Sequence, residues 1–143
     1  MSLYADNSAL VKLLIREDGS AAAVREIGSH HRIYCSSITY AEVCAALGRA
    51  HRQGRLNETD TTALVQIWSG LWGNLLRIQV DEDIVRRAGA LALELGLRGY
   101  AAVHVASVLT VQDIEPLSIA SWDFELRAAA GTKMVPVFPE KFA

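Results

Sequence analysis

Short apolar runs alternate with helical segments along this chain, and that alternation constrains its fold more than any other feature. Leu3-Tyr4-Ala5, Arg32 to Ser36, Leu75 to Val80, Leu117 to Ala120 and Met134 to Val137 read as five strands. Between them run helical stretches: Ser8 to Glu17, Ala21 to Ile27, Thr39 to Gln53 ended by Gly54, Asn57 or Thr59 to Trp72, Asp81 to Leu95 stopped by Gly96, and Tyr100 to Val111. Phe124 to Ala130, stopped by Gly131, is the last. Strands separated by helices need crossover connections. The expected fold is therefore an α/β three-layer sandwich, a mainly parallel sheet with helices on both faces.

Size and composition narrow the class. The 143 residues are 51% hydrophobic, enough for one domain spanning 1–143 with a real core. No repeat, linker or low-complexity segment breaks the chain. A net charge of -2 excludes binding nucleic acid through a global positive field, so any such partner must be held by local Lys and Arg. Cys35 and Cys44 lie in apolar surroundings and read as reduced core thiols. The start, MSLYADNSAL, lacks the pattern of a signal peptide, and no apolar run is long enough to span a membrane. A cytoplasmic protein is expected.

Ligands of such sheets bind at the carboxyl ends of the strands. Three acids fall there. Asp6 follows the first strand in YADNSAL, Asp123 follows the fourth in LSIASWDFEL, and Glu42 sits in the first helical turn after the second in SSITYAEVCAAL. Each also has a plain structural reading. Asp6 and Asp123 can cap the helices they precede, and Thr39 with Glu42 fits a capping box. Converging carboxylates repel unless a cation lies between them, and oxygen ligands without His or Cys suit Mg²⁺ or Mn²⁺.

The chain resembles the PIN-domain ribonucleases, and most closely the VapC-type toxins of toxin–antitoxin pairs. The resemblance rests on YADNSALVKLL, SSITYAEVCAAL, the Leu-Arg-Gly-Tyr stretch before AAVHVASVL, and IASWDFELRAAAG, in register along nearly the whole chain. It implies a Mg²⁺- or Mn²⁺-dependent endoribonuclease whose acidic set maps onto Asp6, Glu42, position 101 and Asp123, with Asn7, Ser8 and Ser121 in supporting polar positions. It implies Asp6 and position 101 as direct ligands, with Glu42 and Asp123 acting through water. It also implies an RNA substrate cut to 5′-phosphate and 3′-hydroxyl ends, a homodimer and a cognate antitoxin. The family reads Asp at the third acidic position, where this chain has Ala101, within otherwise intact flanks. The alanine is either an introduced change or the mark of a natural degenerate member. Losing a full charge from such a site costs metal affinity: ~2–3 kcal/mol corresponds to roughly a 30- to 150-fold change. The expectation is weak Mg²⁺ binding and poor RNA cleavage. The alternative is a catalytically inactive PIN-like module that binds RNA or a partner protein.

Other residues carry weaker signals. His104 reads as a packed histidine, because the implied chemistry needs no imidazole. His30-His31 reads as a surface pair, and Trp68 with Trp72 as packing. Lys12 and Arg16 share a solvated face. Arg49, Arg52 and Arg55 follow Glu42 along one helix and beyond it, where they can guide a phosphate backbone. Arg98 can approach the acidic site. Leu10, Leu13 and Leu14 read as core residues rather than as an antitoxin groove.

Overall fold

The computed structural model describes residues 1–141. The elements follow in the order β1 (Ser2–Ala5), α1 (Asn7–Leu10), α2 (Ser20–Gly28), β2 (Ile33–Ser36), α3 (Thr39–Arg52), α4 (Glu58–Trp72), β3 (Leu76–Ile78), α5 (Glu82–Leu95), α6 (Gly99–Gln112), β4 (Leu117–Ala120), α7 (Phe124–Thr132) and β5 (Val137–Phe138). The sheet order is β3-β2-β1-β4-β5, with every pairing parallel. The three-layer α/β sandwich expected from the alternation is the architecture found.

β1 is central because all four of its residues are buried. Its side chains alternate between faces, as strand geometry requires. Tyr4 packs with Ile84, Leu91, Val105 and Leu126 on one face. Leu3 and Ala5 pack with Leu10, Val43, Leu47 and Trp68 on the other. α6 is buried over most of its length, including Ala101, Ala102, His104 and Val105. Its Ala/Val composition without polar periodicity reflects this all-round burial. Among the described residues no helix is long and apolar enough to cross a membrane.

The chain adds strands to one side of β1 first and to the other side afterwards. The connectivity therefore reverses between β1 and β4, and the crevice outside their carboxyl ends is where such sheets place ligands. The register pairs Ala5 with Ala120. Asp6 and Ser121, the next residues on each strand, are brought side by side.

Several local expectations need correction. The first helix does not run from Ser8 to Glu17. α1 ends at Leu10 and tightens into a 3-10 turn at Val11–Leu13, because the amides of Leu14 and Ile15 both bond to the carbonyl of Val11. Lys12 then turns back to Glu17 at 2.9 Å and to the carbonyl of Asp18. Gly131 does not stop α7, which continues to Thr132. The reversal comes at Met134, which takes a left-handed conformation at φ 62. The last strand is accordingly Val137–Phe138 rather than Met134 to Val137. The Thr39–Glu42 capping box is absent. Ile38 occupies the cap position with no side-chain bond, and the Thr39 hydroxyl is buried without a partner among the described residues. Gly54 and Gly96 do stop their helices, with positive φ at both.

Candidate functional site

Asp6 leaves β1 directly into the cap of α1, and its side chain is almost wholly buried, with the residue 2% exposed. One carboxylate oxygen, Oδ1, accepts from the amide of Ala9 at 3.1 Å and from Ser8 Oγ at 2.6 Å. The other, Oδ2, accepts from Ser121 Oγ at 2.7 Å. Ser8 and Ser121 in turn accept from β4's continuation: Trp122 N–H donates to Ser8 Oγ at 2.8 Å, and Asp123 N–H donates to Ser121 Oγ at 3.1 Å. Two strand ends are thus joined by two serines around one carboxylate.

Asp123 caps α7, accepting from Leu126 N–H at 3.0 Å through Oδ1. Its Oδ2 accepts from the Tyr100 hydroxyl at 3.2 Å. The cap readings of Asp6 and Asp123 therefore hold. The helix N-terminus supplies amide donors that stabilise a carboxylate at the sheet edge.

Glu42 reaches the site differently. It accepts from His104 Nε2 at 2.8 Å, and His104 Nδ1 faces the Tyr4 hydroxyl at 2.7 Å. Burial raises the Tyr4 pKa well above its usual value, so Tyr4 remains a phenol and can donate to Nδ1. His104 Nε2 donates to Glu42. His104 is 1% exposed. It is packed, as expected, and it also carries the polar link between α3, α6 and β1, which the sequence reading missed. The signal was available: His104 lies three residues after position 101, on the same face of α6.

Ala101 is fully buried in the first turn of α6. It lies between Tyr100, which reaches Asp123, and His104, which reaches Glu42. A carboxylate at this position would lie in the first turn of a helix, where the helix dipole favours it.

The electrostatics of the edge are unbalanced. Burial raises the Asp6 pKa, opposed by His104 and by the hydrogen bonds from Ser8, Ser121 and Ala9. Among the described residues Asp6 has no ion-pair partner. The oxygen donors suit a hard divalent cation in kind. They do not gather as one: among the described residues no three His, Cys, Asp or Glu side chains come together to hold an ion.

The other residues sort clearly. Ser8 and Ser121 bond the Asp6 carboxylate, whereas Asn7 makes no hydrogen bond to the acids and lines an adjoining groove. Arg98 turns to Glu125 at 3.3 Å rather than to Asp6, Glu42 or Asp123. Trp68 is fully buried and stacks on Tyr40, as a packing residue should. His30 bonds the carbonyl of Met1 and Glu26. Cys35 and Cys44 are free thiols, and burial pushes Cys35 up to about 12.

Known proteins are similar to this chain in sequence and in fold. The PIN domain profile matches residues 3–114. A curated relative named Ribonuclease VapC45, from Mycobacterium tuberculosis (strain CDC 1551 / Oshkosh), is 36% identical over 137 residues, covering 94% of each chain. The crystal structure of Mycobacterium tuberculosis VapC20, a sarcin-ricin loop cleaving toxin, superposes with a TM-score of 0.67 at 19% identity, covering 89% of this chain and 94% of that one. A toxin–antitoxin complex from Klebsiella pneumoniae gives a TM-score of 0.63 at 19% identity, covering 86% and 87%. At these identities the structural likenesses speak to the fold.

Proposed function

The chain belongs to the PIN-domain family, and from that premise we propose that it is a VapC-type ribonuclease toxin of a toxin–antitoxin pair, disarmed in this form by Ala101. The observation that carries this is the buried Asp6 carboxylate held by Ser121, whose hydroxyl also accepts the backbone amide of Asp123, at the sheet's reversal point. The 36% identity to a protein named a ribonuclease, over 94% of both chains, supports the activity class.

In this reading the substrate is RNA, held at the carboxyl edge. The reaction is hydrolysis of a phosphodiester, with water attacking phosphorus to leave a 5′-phosphate and a 3′-hydroxyl. The chain's own residues prepare the edge. Ser8, Ser121 and the Ala9 amide orient both oxygens of Asp6, Tyr100 and the Leu126 amide orient Asp123, and His104 orients Glu42. Mg²⁺ or Mn²⁺ is the proposed cofactor of the Ala101→Asp form, and this chain is expected to bind it weakly. A cognate antitoxin, a homodimeric assembly and a cytoplasmic location complete the proposal. The solved toxin–antitoxin complex with this fold is consistent with the first of these.

Ala101 and the ungathered acids favour one second reading, an inactive PIN-like module that only binds RNA or a protein. Cleavage of total cellular RNA separates the two. The chain as it stands and its Ala101→Asp variant are each assayed with Mg²⁺, with Mn²⁺ and with EDTA. Cleavage by the Ala101→Asp form alone, stopped by EDTA, is the expected result. No cleavage by either form under any metal supports the inactive module. Full turnover by the unaltered chain overturns the claim that Ala101 disarms it.

A further inference from the structure

A ribonuclease built on this edge has an electrostatic difficulty. The RNA backbone must approach Asp6, Glu42 and Asp123 in a chain of net charge -2. Local cations must hold it there. On the α7 side of the edge the cations are committed. Arg98 pairs with Glu125, and Arg127 donates to the carbonyls of Ser121 and Pro139.

The opposite flank differs. A groove of about 200 Å³ adjoins the edge, lined among others by Asn7, Ser8, Lys12, Ala46, Arg49 and Arg55. It begins at the edge itself, since Ser8 is the residue whose hydroxyl donates to Asp6. Along α3, Glu42, Ala46 and Arg49 recur at i, i+4 and i+7, so they share one face. Arg49 stands about 10 Å along the helix axis from Glu42. It is exposed and has no hydrogen-bond or ion-pair partner among the described residues. Arg55 reaches only the Gln53 side chain, at 3.0 and 3.1 Å. Lys12 is already held by Glu17. Among the charged residues of the groove three are cations and one, Glu17, is an acid.

We propose that this groove seats the RNA backbone next to the cleavage edge, with Arg49 and Arg55 contacting phosphates and Asn7 available to the sugar–phosphate chain. Val11 and Ile15 also line it, but three cations against one acid at its rim favour a polyanion. The assignment rests on the ribonuclease reading. It adds where the substrate lies and which residues hold it.

The test is binding of a fluorescently labelled, mixed-sequence single-stranded RNA to the full chain, followed by anisotropy across a salt series in EDTA. The Arg49→Ala/Arg55→Ala double variant should bind about tenfold more weakly. Its plot of log affinity against log salt should be shallower by about 1.4, from ~0.7 per phosphate contact in a single strand. Arg49→Lys/Arg55→Lys should keep the parent's slope. Arg86→Ala, removing an exposed cation paired with Glu82 on α5, should change neither quantity. If the double alanine variant binds RNA with the parent's affinity and slope, the groove assignment is overturned while the ribonuclease reading stands. The same result is expected if the groove serves a protein partner. If the parent does not bind RNA at all, both are overturned.

Discussion

The two ends of the sheet each hold an acid inside a hydrogen-bond network, and they treat it in opposite ways. At the amino end Glu115 receives the Ser2 hydroxyl and the Tyr34 hydroxyl, and it pairs with Arg32 at 3.4 Å. The Ser2 hydrogen bond, with Arg32 adding to it, lowers the Glu115 pKa. Its charge is answered within the chain. At the carboxyl end Asp6 is buried, its partners are two hydroxyls and an amide, and its pKa is raised. A buried carboxylate without a cation costs stability. The amino end uses its acid to join strands. The carboxyl end carries a buried acid that hydrogen bonds and His104 answer in part and that has no ion-pair partner among the described residues.

The strongest way to break this contrast is catalytic. In the Ala101→Asp background, Asp6→Asn should lower RNA cleavage roughly 100-fold or more, equivalent to about 2.7 kcal/mol of barrier. Glu115→Gln should leave the cleavage rate unchanged. A comparable loss from both would mean that the two ends do not differ in function.

Stability provides the next test. His104→Ala strands the Tyr4 hydroxyl and the Glu42 carboxylate and opens a cavity, so it should cost about 2–3 kcal/mol in urea unfolding. Arg32→Ala, at the exposed amino end, should leave the unfolding midpoint close to that of the parent.

The Asp6 charge itself should be visible in metal-free protein. An acid whose folded pKa lies above its unfolded value favours the folded state below the unfolded pKa. That contribution is lost as pH rises through the folded pKa. Asp6→Asn should therefore match the parent at low pH and exceed it by about 1 kcal/mol at neutral pH, as measured by urea titration in EDTA. A variant less stable than the parent at neutral pH would show that the carboxylate is well compensated after all.

The smallest effect concerns a bystander. Cys35, with its pKa pushed up to about 12, should resist alkylation at pH 8 in the folded protein and react only on unfolding. Rapid labelling of Cys35 in the folded state would contradict its burial in the core.

The sequence by itself determined the layer architecture, because strand and helix periodicities are local; the runs recur in order as elements, although Ser8 to Glu17 shortens to α1 with a 3-10 turn and the last strand shifts to Val137–Phe138. It placed Asp6, Glu42 and Asp123 after the correct strands, and it exposed Ala101 as a break in an intact segment. Where local signals competed, only the tertiary structure decided. Gly131 is tolerated inside α7 and Met134 takes the turn instead. Thr39 with Glu42 fits a cap on paper, yet His104, 62 residues away in sequence, takes the carboxylate. The serine bridge from Asp6 to the backbone amide of Asp123 depends on the pairing of β1 with β4, a contact across more than 100 residues. No periodicity within one segment encodes such a contact, because it arises from the order in which strands join the sheet. The groove beside Arg49 has the same origin. Helical spacing puts Glu42 and Arg49 on one face of α3, but only packing sets that face against Asn7 and Ser8.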